Sequence, residues 1–115
     1  MKLHLAANYD LRLVSELAST SVSSVYGKLQ RDIVGGGRAS YMGRSFSISD
    51  LSRYIKKLKG CGIDFTYLLN SSCLGNREWS RSGQKQIQKL LDRLLAAGVQ
   101  AVTVSTPYLL KLIKE

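Results

Sequence analysis

Several short stretches gather the residue types that could do chemistry. Asn70-Ser71-Ser72-Cys73 joins a carboxamide, two hydroxyls and a thiol. Gly35-Gly36-Gly37-Arg38-Ala39-Ser40 places a guanidinium and a hydroxyl after three glycines. Asn8-Tyr9-Asp10 and Val25-Tyr26-Gly27 each end an apolar run on polar or aromatic groups. Arg38 could join backbone amides in holding a phosphate or a carboxylate. The Lys-Ser/Thr pair of a phosphate loop is missing there, and an exposed arginine on a flexible turn explains the same residues. Asn70 could hydrogen-bond a substrate carbonyl, or simply satisfy local backbone groups. Cys73 would be a nucleophile only beside a base that lowers its pKa. His4 is the sole histidine and falls inside an apolar alternation, so it is a poor partner for Cys73, Ser71 or Ser72. Asp10 and Thr106 read most simply as helix caps, and Trp79 with Arg77 and Glu78 as a packed loop anchor. The Asp and Glu residues are scattered, without a paired-carboxylate, HExxH or Ser-His-Asp pattern.

The elements that must position these groups alternate. Lys2 to Ala7 alternates Leu3 and Leu5 with polar neighbours, as a strand does. Leu11, Val14, Leu17 and Ala18 fall on one helical face. Val22 to Tyr26 is a second strand, closed by Gly27, and Lys28 to Ser45 is a long glycine-bearing loop. Ser49 is placed to cap the next helix, in which Leu51, Tyr54, Ile55 and Leu58 recur at helical spacing and Gly60 and Gly62 end the run. Ile63 to Leu69 has the aromatic and β-branched content of a buried strand. After a polar loop from Asn70 to Arg81, Ile87, Leu90, Leu91, Leu94 and Leu95 form a helical stripe stopped by Gly98. Val99 to Ser105 is the fourth strand, and Pro107 opens a last helix running to Lys114.

The order βαβαβαβα with short links calls for parallel strands joined by right-handed crossovers. The 115 residues suit one α/β domain, 1–115. A doubly wound sheet and a (β/α) barrel both fit that order. A doubly wound sheet commonly has a glycine-rich turn after its first strand, whereas Asn8-Tyr9-Asp10 has no glycine. The expected fold is therefore a parallel (β/α) repeat of four strand–helix units, about half of a TIM-type barrel. In such folds ligands meet the C-terminal ends of the strands. That rule selects Asn8 and Asp10, Tyr26 and Gly27, Asn70 to Cys73, and Ser105 and Thr106, to which the glycine loop adds Arg38 and Ser40.

Composition narrows the class. Hydrophobic residues make up 44% and charged residues 22%, as in ordinary globular domains. The apolar runs are too short for a signal peptide or a spanning helix, so no membrane partner is expected. Lys and Arg number 17 against 8 Asp and Glu, a net charge of +9, which raises nucleic-acid binding. The densest cluster, Arg53, Lys56, Lys57 and Lys59, nevertheless sits on an amphipathic helix and reads as its solvated face. Cys61 and Cys73 lack metal-ligand spacing and read as free thiols of a cytoplasmic protein, with no metal site.

The stretches Val25-Tyr26-Gly27, Val34-Gly35-Gly36-Gly37-Arg38-Ala39-Ser40 and Tyr67-Leu68-Leu69-Asn70 carry a resemblance. So does Gly98-Val99-Gln100-Ala101-Val102-Thr103-Val104-Ser105, followed by a helix. Over nearly its whole length the chain resembles the N-terminal part of the collagenase-like, or U-32, peptidases. The resemblance implies a (β/α) barrel and a peptidase-like hydrolase, with relatives that act in RNA and quinone hydroxylation. Those relatives hold an iron–sulfur cluster on cysteines mostly beyond the matched region, so no cofactor is expected here. The substrate-binding residues it leads us to expect are Asn70, Arg38, Tyr26, Ser71 and Asn8, for a peptide or an RNA-linked substrate. The chain by itself is expected to be inactive.

Four parallel strands leave two edges with unpaired N–H and C=O groups, which invite another chain. The expected partner is a second copy or a C-terminal half-barrel. A non-catalytic self-associating scaffold and a basic RNA-binding module are the alternative functions.

Overall fold

A computed structural model describes residues 1–7, 9–29, 47–70 and 79–114. In chain order they form β1 (Leu3–Ala6), α1 (Leu11–Leu17), β2 (Val22–Gly27), α2 (Ile48–Gly60), β3 (Asp64–Leu69), α3 (Arg81–Ala96), β4 (Ala101–Val104) and α4 (Pro107–Lys114). The strands make one parallel sheet in the order β1-β2-β3-β4. A doubly wound sheet reverses its winding and puts its first strand inside. Here every crossover advances the same way, so right-handed connections carry all the helices onto one side. This is the winding of a (β/α) barrel, stopped after four units.

Burial separates the two faces. Phe65, Tyr67 and Leu69 of β3 are buried, whereas Thr66 and Leu68 between them are half-exposed. Val25 of β2 is buried beside Phe65. Against this face α2 sets Leu51, Tyr54, Ile55 and Leu58, and α3 sets Ile87, Leu90 and Leu94. Each such side chain contributes about 1.5–3 kcal/mol when fully buried. Arg53, Lys56, Lys57 and Lys59 line the outer face of α2, as the sequence predicts. Leu95, predicted as core, is exposed. It lies about 100° past Leu94 on the helix, beyond the stripe that meets the sheet. No helix among the described residues is long and apolar enough to cross a membrane.

Strands β3 and β4 begin later than the apolar runs predict, and the helix ends explain why. Gly62 and Gly98 adopt left-handed φ of 73° and 98°. The next residues, Ile63 and Val99, then donate their N–H groups back to the Leu58 and Leu94 carbonyls at 2.9 and 3.0 Å. Those amides satisfy the last turn of a helix and cannot also enter the ladder.

The cap of α2 also differs from expectation. Ser47, not Ser49, is the N-cap, because Asp50 stands three residues after it and completes a reciprocal capping box. Ser49 falls within the first turn. Ser47→Ala is expected to cost about 1 kcal/mol in denaturant unfolding. Hydrogen bonds from the Ser47 backbone and then its side chain hold the Asp50 carboxyl below its ordinary 3.8, and Arg53 adds to this. The support this carboxylate gives is therefore present above that value and fades as pH falls through the lower, folded one. Asp50→Asn should flatten the acid limb of melting temperature against pH, and an unchanged limb would remove the box from that role.

Candidate functional site

Parallel pairing brings the C-terminal ends of all four strands to one rim, where the chain leaves each strand for the next helix. At β1 the ladder runs one step further, with the Ala7 N–H donating to the Tyr26 carbonyl at 2.8 Å. The chain then turns through Tyr9, whose φ of 58° is uncommon for a side-chain-bearing residue. Asp10 caps α1 as predicted, accepting the Arg12 N–H at 3.0 Å. Its contact with the Arg12 guanidinium is an exposed pair of little energetic weight.

Tyrosines knit the first two strand ends together. The Tyr9 hydroxyl donates to the Lys28 carbonyl at 2.6 Å, and the Tyr67 hydroxyl accepts the Leu29 N–H at 3.2 Å. The Tyr9 ring lies 5.4 Å from that of Tyr54, which meets Phe65 edge-on at 6.2 Å. Burial pushes the Tyr54 phenol above its ordinary 10.0, against a hydrogen bond with the Tyr9 backbone, so it stays neutral. Gly27 is where this closeness needs the absence of a side chain: a Cβ would stand 2.4 Å from the Tyr9 oxygen and 2.9 Å from the Ala7 Cβ.

Asn70 follows β3 at the same rim, and its Oδ1 is buried without a hydrogen-bond partner. An orphaned buried acceptor costs about 1–3 kcal/mol, a cost that a donor from an ordered water or a bound group would relieve. Beside β2, Lys28 is the buried charged residue among those described, with 8% of its surface exposed. At the start of α3, Trp79 is 66% exposed yet stacks on Tyr108 of α4 with ring centres 4.7 Å apart. Gln84 donates to the Tyr108 hydroxyl at 2.8 Å. Packing, the default for tryptophan, thus takes the form of an exposed ring set against the half-buried Tyr108.

Of the residues expected to bind substrate, Asn70 stands at the rim. Tyr26 is exposed one position before the end of β2 and pairs with Ala6 and Thr66, on the sheet face opposite the helices. Arg38, Ser71 and Asn8 lie outside the described residues, as do Ser40, Ser72 and Cys73. Cys61 carries a free thiol at the far end of α2, on the side away from the strand ends. His4 hydrogen-bonds through Nδ1 to the Ser24 hydroxyl, and Ser24 pairs in register with Asp64. The order is histidine, serine, aspartate, so the carboxylate neighbours the serine and does not orient the imidazole as a hydrolytic triad requires. Among the described residues no three His, Cys, Asp or Glu side chains converge on a metal position.

Sequence reasoning missed Lys28, Tyr9 and Tyr67. Lys28 could have been found as the polar residue directly after the glycine that ends β2. The tyrosines look like ordinary aromatic core until their hydroxyl partners are known.

No family model matches the chain. The uncharacterized protease MJ1657 of Methanocaldococcus jannaschii is 31% identical over 84 residues, which span 73% of this chain and 25% of that protein. The solved structure of the U32 peptidase Mk0906 superposes with a TM-score of 0.68 at 15% identity. The superposition covers 98% of this chain and 44% of that one. The chain is thus similar in sequence to a protease and in fold to a U32 peptidase. The structural likeness carries the fold, part of a barrel, and the sequence match carries the kinship. The chain spans less than half the length of either protein.

Proposed function

We propose that the chain supplies one wall of the substrate pocket of a peptidase-like hydrolase, working in the reducing cytoplasm. The observation that carries this reading is the unpartnered, buried Asn70 Oδ1 at the strand ends of a fold like that of a U32 peptidase. A carboxamide offers one acceptor and two donors, the complement of a peptide group's N–H and C=O. Asn70 would accept a substrate N–H through Oδ1 and donate to the neighbouring carbonyl through Nδ2. Lys28 adds a cation to the same rim, and Tyr26 an exposed phenol on the barrel-interior face. Arg38, Ser71 and Asn8 are the further contacts proposed from sequence. Peptide-bond cleavage itself calls on groups that the described residues do not assemble.

Binding is therefore the test. Fluorescence anisotropy with a collagen-like peptide library should show Asn70→Ala weakening binding about 3–10-fold, the worth of one net hydrogen bond. The circular dichroism spectrum should not change. No binding by the unaltered chain, or equal binding by the variant, would remove Asn70 from this role.

A second reading, a basic RNA-binding module, draws on the +9 charge and the exposed Trp79 ring beside Tyr108. Single strands bind where cations and stacking rings occur together. RNA affinity falling steeply with salt, and falling again in Trp79→Ala, would favour it over the peptide pocket.

A further inference from the structure

We propose that the outer face of α2 and α3 is a docking surface for the phosphate backbone of a nucleic-acid duplex. The proposal rests on these two helices and is independent of the peptide pocket. It shares a ligand class with the RNA reading above but not a site, since Trp79 plays no part in it.

Along α3, Arg81, Lys85, Lys89 and Arg93 recur at every fourth residue, and all of them are exposed. With about 100° between successive residues, the row is centred opposite the buried Ile87. Its steps are about 6 Å and its length about 18 Å. On α2, Arg53 and Lys57 repeat the same spacing opposite the buried Ile55. The helices lie side by side: a Cβ on Gly98, just past α3, would stand 3.4 Å from the Lys59 ammonium of α2. Both also have their neighbours. Helix α1 packs beside α2, and Tyr108 of α4 meets Gln84 of α3, so a further strand–helix unit would add beyond those helices and leave this face open.

A face that is merely solvated mixes both signs. Like charges four residues apart weaken a helix, and a cation in the first turn opposes the helix dipole. Helix α3 carries such pairs end to end, opens on Arg81 and has no acidic residue in its first turn. The carboxylates of the two helices are engaged elsewhere: Asp50 closes the capping box, and Asp92 accepts from Gln88 at 3.4 Å. Among the described residues no carboxylate forms a salt bridge with either row. Unpaired cations at regular steps complement a line of regularly spaced anions, which is what a nucleic-acid backbone presents. Ser82, Gln86 and Gln88, exposed between the cations, are residue types that bond phosphate and sugar oxygens. No aromatic ring is exposed along either row, so a single strand would find nothing to stack on. Leu95, past the last cation, is the exposed large hydrophobic side chain of these helices, too little to seat them in a membrane.

Fluorescence anisotropy with a short labelled duplex, prepared as RNA and as DNA, should show binding that weakens steeply with salt. Binding of either duplex supports the proposal, and the stronger arm identifies the source of the backbone. The triple variant Lys85→Gln, Lys89→Gln, Arg93→Gln should weaken binding about 10–100-fold at about 0.1 M salt. It should also flatten the slope of log affinity against log salt by about two to three, and each single variant by about one. Lys2→Gln, Lys111→Gln, Lys114→Gln removes the same charge from exposed positions elsewhere and should leave the slope unchanged. Equal effects of the two triple variants overturn the proposal, because net charge alone would then explain binding. So does a parent chain that binds neither duplex at low salt. A preference for single strands that Trp79→Ala abolishes overturns it in favour of the rim. Cosedimentation with phosphatidylserine vesicles, without binding to either duplex, overturns it in favour of a lipid surface. Peptide binding should be the same in the α3 triple variant as in the parent, so the two sites fail or stand separately.

Discussion

Tyr54→Ala is expected to lower the unfolding free energy by about 3–5 kcal/mol, the range for deleting a buried aromatic ring. The ring is 1% exposed and stands where α2 meets the sheet, between Tyr9 and Phe65. Removing it opens a cavity at the base of the β1 turn and also unseats Tyr9, whose hydroxyl ties β1 to β2. Whole domains are stable by only about 5–15 kcal/mol. Most of the variant should be unfolded in conditions where the parent is native. Urea titration measures the difference, with the slope m kept equal between the two. Tyr54→Phe keeps the ring and should cost about 1 kcal/mol. It also has a pH signature. Burial raises the Tyr54 pKa above 10.0 in the fold, so stability is full below that pH and declines as pH climbs toward the folded value. Tyr54→Phe should lessen the alkaline decline. An alanine variant no weaker than the phenylalanine one would mean that the ring is not packed as described.

Gly27→Ala should cost about 2–4 kcal/mol, adding an overpacked methyl to a lost hydrogen bond. The new methyl would stand 2.4 Å from the Tyr9 oxygen and 2.9 Å from the Ala7 Cβ. A tyrosine tip can usually swing aside. Here it is held by the Lys28 carbonyl at 2.6 Å, so relief comes only by breaking that bond. The Ala7 methyl is fixed to the backbone and cannot move without shifting β1. A double-mutant cycle separates the two contacts. Tyr9→Phe in the alanine background should recover part of the loss, and the contact with Ala7 should keep the rest. Full recovery would show that Ala7 gives way freely, and no recovery that Tyr9 was never the obstacle.

Much of the architecture is legible because it rests on local signals. The stripe Leu51, Tyr54, Ile55 and Leu58 marks both a helix and its buried face, and the Asp10 and Thr106-Pro107 starts follow from capping chemistry alone. Gly62 and Gly98 mark helix ends, but only a backbone shows that Ile63 and Val99 are drawn into them and shorten the strands. Ser49 and Ser47 are equally good caps by residue type. Asp50 decides between them, through a hydrogen bond that depends on spacing from the true start. The candidate site is less legible because it depends on register. Asn70 is visible as a polar residue ending an apolar run, whereas the meeting of His4 with Ser24, or of Tyr67 with Leu29, joins residues far apart in the chain. Those pairs exist only once parallel strands have fixed which residues stand side by side.

The spatial sequence of the strands repeats their order of synthesis, β1 through β4. Each new strand can therefore dock on one already in place, without waiting for distant chain to arrive and close a long loop. Such a sheet can grow from its first strand outward as the polypeptide leaves the ribosome, with α2 sealing β2 and β3 before α3 exists. Premature stops after a complete strand–helix pair should then release compact intermediates, whereas stops inside a pair should release chains that proteases clear.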